Sequence, residues 1–206
     1  ISPTTFTPSR VFVSQFGQLF GVWTTEFPGY EVRSIGPSVA EGTTFGFRLA
    51  GPLLRYNDST DRVHPVHEIF GPTVPQLAVS LDSTVVVTES GPRDGFDYFQ
   101  YFGAGDHSHL SFTLLGDGVS PTAPPPPDGA YVLPLINTGS GLAASDWYFI
   151  VLQKNATVAQ RDRAAALSGV MASTLPCDAD FDGSVGIGDF ARLGANFNAT
   201  DKWWGD

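Results

Sequence analysis

The 206-residue sequence has a single cysteine, Cys177, which excludes an intramolecular disulfide framework. Three readings of that residue stay open: an inert small side chain, an intermolecular bridge, or a modified thiol. Basic residues are scarce, with 11 Lys and Arg against 21 Asp and Glu, for a formal net charge of -10. Nucleic acid and anionic membranes are met by basic patches, so neither is expected as a partner. No apolar run approaches the ~20 residues that cross a bilayer, so no membrane span is expected. Catalytic signatures are missing as well: there is no Gly-x-Ser-x-Gly elbow and no His-Glu-x-x-His. Asp106-His107-Ser108 holds the residue types of a hydrolytic triad, but neighbours along a strand point to opposite faces. Glu26, Glu31, Glu41, Glu68 and Glu89 are too scattered to name a pair flanking a sugar. The chain is therefore read as a non-enzyme. It begins at Ile1 rather than methionine, so removal of a leader is expected.

What is abundant points to β structure. Twenty-three glycines, 16 prolines and 16 phenylalanines, with 42% apolar residues, fit many short strands joined by turns around one sizeable core. Residues 1–10 are a Thr/Pro/Ser-rich lead-in, where Pro3 and Pro8 favour an extended arm. Strands are expected at Val11–Val13, Leu19–Trp23 and Thr43–Leu49, and Leu53, Leu54 and Tyr56 continue the sheet. Leu77–Leu81 and Thr84–Thr88 read as a hairpin about Asp82-Ser83, and Phe96–Phe102 and Leu110–Leu115 as further strands. Pro124–Pro127 is a stiff polyproline loop. Ala130–Leu135 and Trp147–Leu152 are the most hydrophobic segments and are expected at the centre of the core. Regular strands and short turns over 11–153 favour a β-sandwich of jelly-roll or immunoglobulin-like type. Thr157–Ser173 is alanine-rich, with Thr157 placed to cap a helix and Val158, Ala165, Leu167, Val170 and Met171 partly periodic; this helical connector (154–176) is expected to lie on the sandwich edge.

The strongest chemical signal follows, in 177–206. Asp178, Asp180, Asp182 and Asp189 stand at positions 1, 3, 5 and 12 of a loop with Gly183 at position 6, the spacing of an EF-hand-like calcium loop followed by a helix. Ser184 offers its backbone carbonyl, and Gly186 leaves its position to water. Phe190, Leu193 and Phe197 give the following helix one apolar face. Calcium is the cofactor this spacing implies, and an extracellular address follows from where calcium is abundant. Asp178 to Asn198, DADFDGSVGIGDFARLGANFN, resembles one half of a type I dockerin. Trp203-Trp204-Gly205-Asp206 is similar to the run-in to a second loop, where the sequence stops; the single half departs from the tandem pattern of that family, and a cohesin-like partner is what the resemblance implies.

Four histidines fall in two pairs, His64-Pro65-Val66-His67 and His107-Ser108-His109. Two imidazoles two residues apart on a strand share a face, which makes His64, His67, His107 and His109 candidate ligands for zinc or copper if the pairs meet; the alternative is four structural or surface histidines. Phe27–Glu31, Gly51–Tyr56, Gly105–Phe112, Asp128–Leu135 and Leu142–Leu152 resemble landmarks of a family of exported bacterial proteins that carry PEP-CTERM-type or dockerin-like tails, planctomycete-like in type. That resemblance implies export and surface display rather than a reaction. Trp23, Trp147, Trp203 and Trp204 are candidate sugar-stacking platforms, with core packing the competing use of Trp23 and Trp147; Asn57, Asn155 and Asn198 head glycosylation sequons. The expectation is thus a secreted structural or adhesive surface component, stabilised by calcium and self-assembling through its N-terminal arm and C-terminal half-module. A histidine-based metal binder and a carbohydrate-binding module are the alternatives.

Overall fold

The computed structural model describes residues 10–31, 40–70, 74–102, 107–122 and 124–173. Residues 1–9 of the arm lie outside this range, as do Asp106, Cys177, the calcium-loop residues Asp178, Asp180, Asp182, Ser184 and Asp189, and Trp203 and Trp204.

The protein is mainly β with one long helix late in the chain. In order, the elements are β1 (Val11–Gln15), β2 (Gly17–Leu19), β3 (Val22–Thr25), β4 (Tyr30–Glu31), β5 (Thr44–Leu49), β6 (Leu54–Asn57) and β7 (Arg62–Pro65). There follow α1 (Val66–Phe70), β8 (Gln76–Leu81), β9 (Thr84–Val87), β10 (Arg93–Gln100), β11 (His107–Ser108) and β12 (Ser111–Leu115). The chain then forms β13 (Gly129–Gly139), β14 (Tyr148–Lys154) and α2 (Val158–Ser173). Among the described residues the strands make a seven-stranded sheet, β1-β14-β13-β5-β10 with β6 and β7 branching from β13, and a five-stranded sheet, β2-β3-β12-β8-β9. β4 and β11 pair by themselves.

Alternation along each strand explains how the sheets are covered. Leu133 and Leu135 of β13 and Ile150 and Leu152 of β14 join one apolar cluster with Phe47 and Leu49 of β5, and with Leu77, Val79, Phe112 and Leu114 of the five-stranded sheet. The intervening residues, Ala130 and Val132 of β13 and Phe149 and Val151 of β14, join a second cluster with Ala164 and Met171 of α2. β13 and β14 are buried on both faces, which is why they read as unbroken hydrophobic runs. The helix therefore covers a sheet face, not the edge expected from sequence. Its buried side is Ala164, Ser168 and Met171, while Val158 and Val170 are exposed.

The N-terminus of α2 is a reciprocal capping box. Thr157 Oγ1 accepts from the Gln160 N–H (3.2 Å), and Gln160 Oε1 accepts from the Thr157 N–H (2.9 Å). Thr157→Ala is expected to lower stability by about 1 kcal/mol, read as a shift in urea midpoint without a change in slope. At the helix C-terminus, Arg10 Nη1 donates to Ala172 O (2.9 Å); in its first half, Arg163 forks onto both Asp61 oxygens in the turn between β6 and β7 (2.8 and 2.6 Å).

Two further departures from expectation have local causes. Leu19–Trp23 is not one strand: Phe20 and Gly21 take φ of 50° and 83°, so β2 and β3 turn back as a two-residue hairpin with Phe20 almost fully exposed at its tip. β5 and β6 both run antiparallel to β13, Leu49 opposite Leu135 and Leu54 opposite Val132, so two extra residues around Gly51-Pro52 bulge what is otherwise one strand. A Cβ at Gly95 would stand 2.3 Å from the Phe47 carbonyl oxygen, so the irregular β5–β10 pairing requires glycine there.

Candidate functional site

The site is built where the start of β1, the turn ahead of β4, the far half of β13 and the start of β14 come together. A hollow of about 330 Å³ opens there, lined by Arg10, Phe12, Pro28, Gly29, Tyr30, Asn137, Ser145, Asp146, Trp147 and Tyr148. β1 runs parallel to β14 with Phe12 opposite Ile150, which brings the Phe12 ring edge-on to Tyr148, 6.1 Å between centroids. Trp147 is half-buried and stands edge-on to Phe149 (6.5 Å, 66°). The Ser145 Oγ accepts from the Asn137 N–H (2.8 Å), and the Ser145 N–H donates to the Asn137 carbonyl (2.9 Å), which pins the segment carrying Asp146 and Trp147 to β13.

Its polar groups are ordered by one another. Tyr148 Oη donates to Asn137 Oδ1 (2.9 Å), and the Tyr30 and Tyr148 hydroxyls stand 3.0 Å apart. Since the Tyr148 proton is committed to Asn137, Tyr30 is the donor between the two phenols, and its oxygen keeps lone-pair capacity. Burial pushes the Tyr30 phenol up to about 12. Burial, with Tyr30 beside it, holds Tyr148 well above the usual phenol range. Both stay protonated at any physiological pH. Arg10 Nη2 meets Asp146 Oδ2 at 2.6 Å, so the charges in the hollow cancel.

The turn that carries Tyr30 is held from behind by a histidine. His109 Nδ1 lies 3.0 Å from the Glu26 carbonyl oxygen and so carries the proton. Its ring meets Phe27 edge-on (5.7 Å), and a Cβ at Gly29 would stand 2.6 Å from His109 Cε1. The His107 and His109 rings meet edge-on, with centroids 5.7 Å apart. His64, on β7, has Nε2 at 2.9 Å from Thr60 Oγ1 and Nδ1 at 3.6 Å from Glu68 Oε2. His67 belongs to α1 and lines a second hollow of about 360 Å³ with Leu53, Val66, Val74 and Glu89. Among the described residues no three His, Cys, Asp or Glu side chains converge as a metal ion would need, so His64 and His67 are not joined to His107 and His109 in one cluster. Asp94 pairs with Arg48 (2.9 Å).

Of the tryptophans, Trp23 has the Lys154 ammonium 4.4 Å over its ring, which closes that face to a ligand. Trp147 packs against the helix-side cluster and also lines the hollow. Asn57 Oδ1 accepts from Ser59, and Asn155 Nδ2 donates to Asp128 Oδ1 (3.1 Å). Arg10, Phe12, Tyr30, Asn137 and Asp146 were not singled out as site residues by sequence reasoning. Tyr30 of the segment Phe27–Glu31 meets Tyr148 of the segment Leu142–Leu152.

No family model matches the sequence, and no curated protein matches it. Among solved structures, the CooA pilin subunit from enterotoxigenic Escherichia coli aligns with 73% of this chain and 91% of its own, at 12% identity and a TM-score of 0.32. A likeness that slight fixes neither a shared fold nor a shared role.

Proposed function

We propose that the chain is an extracellular structural subunit, a β-sandwich that polymerises with copies of itself at a cell surface. In this reading the N-terminal arm of one copy adds a strand to a sheet edge of the next, and calcium held by Asp178, Asp180, Asp182, Ser184 and Asp189 stiffens the C-terminal half-module. The role is structural or adhesive, not enzymatic.

The observation that carries it is the position of β1. In sequence the arm leads into this strand, which stands at one end of the larger sheet's strand order beside β14. Two of its apolar side chains stay partly open to solvent: Phe12 is 39% and Val13 48% exposed. An apolar edge of this kind is a template for another extended segment unless something blunts it. A nine-residue arm spans roughly 30 Å when extended, ample for the ~17 Å of a five-residue strand. Contact between one copy's arm and another's edge is head-to-tail, so it repeats along a filament unless a ring closes.

Light scattering behind size exclusion, with negative-stain microscopy, tests this on the full chain and on a chain lacking residues 1–9. The full chain is expected to form polymers and the shortened one to stay monomeric. Metal analysis is expected to find about one calcium per chain, and EGTA to shorten the polymers. A full chain that stays monomeric and is indifferent to chelation contradicts the proposal.

A further inference from the structure

We infer that the hollow between β1, the Pro28–Tyr30 turn and β14 is a binding site for a neutral pyranose sugar, independent of self-assembly. Aromatic side chains from two directions, Phe12 on β1 and Trp147 ahead of β14, line it, and the apolar C–H face of a pyranose is the complement of such rings. The same hollow holds planar polar side chains of both senses. Asp146 and the Tyr30 oxygen accept, while the Asn137 amide nitrogen, left over once Oδ1 has taken the Tyr148 proton, and the Arg10 guanidinium donate. Vicinal hydroxyls, each a donor and an acceptor, match that alternation.

Charge and size narrow the class. The Arg10–Asp146 ion pair leaves no net charge in the hollow, which disfavours an anionic or cationic ligand. A volume of about 330 Å³ lies at the small end of ligand pockets, suited to one or two sugar rings rather than a long chain. The polar groups in it are mostly side chains already tied to one another, which makes the site preformed and spares the ordering cost of binding. An extended peptide would instead ask for a row of backbone donors and acceptors.

Tryptophan emission of the full-length protein, titrated with cellobiose, maltose, lactose and N,N′-diacetylchitobiose, tests the assignment. At least one is expected to give a saturable change that disappears in Trp147→Phe, with a Kd of roughly 0.1–10 mM. Phe12→Ala and Asp146→Ala are expected to weaken it at least about fivefold while circular dichroism at 25 °C shows the fold retained. Three results would overturn the inference: no saturable change with any of the four sugars, a change that survives all three substitutions, or saturation by a proline-rich peptide where every sugar fails.

Discussion

Aspartate at Val132 and aspartate at the adjacent Leu133 are both expected to abolish folding, although the two side chains point to opposite faces of one strand. Leu133 lies in the cluster shared by the two sheets, and Val132 in the cluster under α2; both are fully buried. A carboxylate at either site has no partner, and the penalty for an unpaired buried charge exceeds about 4 kcal/mol, a large share of any domain's stability. In a sheet with one face open to water, one of the two changes would be tolerated. The measurement is urea unfolding followed by circular dichroism. A Val132→Asp protein with a near-native midpoint would mean that the helix does not cover the sheet.

Alkaline pH is expected to unfold the protein through its tyrosines. Burial raises the phenols of Tyr98, Tyr131 and Tyr148 and pushes Tyr30 up to about 12. In the unfolded chain each ionises near 10. A group whose folded pKa is raised contributes stability that is whole below the unfolded value and is lost as pH rises through the folded one. Tm should therefore hold steady between pH 7 and 9 and fall by on the order of 10 °C by pH 11.5, as unfolding releases these protons. Absorbance at 295 nm should show four of the six tyrosines ionising together with the loss of circular dichroism. Reversible titration of all six near pH 10, with the fold intact, would contradict the burial of the Tyr30–Tyr148 pair.

Much of the β framework was legible because burial on two faces writes itself into composition. Ala130–Leu135 and Trp147–Leu152 carry no polar alternation, and they became the two central strands of the larger sheet. Asp82-Ser83 was readable as a turn, and Asp82 does take a positive φ of 52°. The hairpin at Phe20-Gly21 was hidden because its first position normally goes to asparagine, aspartate or glycine, and a phenylalanine there looks like strand. The register of α2 is obscured by alanine, which occurs all round the helix: of the partly periodic set, Met171 is buried while Val158 and Val170 are exposed. The cleft was harder still. Tyr30 and Tyr148 are 118 residues apart in sequence, and only the parallel docking of β1 on β14 brings Arg10 and Phe12 beside them. The His107 and His109 rings stand 5.7 Å apart, but His109 meets the Glu26 carbonyl and Phe27, partners no spacing rule reveals.

Hydrogen exchange across Val11–Gln15, followed as a function of protein concentration, tests the central claim most directly. If a neighbour's arm pairs with β1, exchange in this segment slows as the full chain assembles, and the slowing disappears when residues 1–9 are deleted. Exchange that is the same at every concentration, and the same with and without those nine residues, would contradict strand addition at this edge.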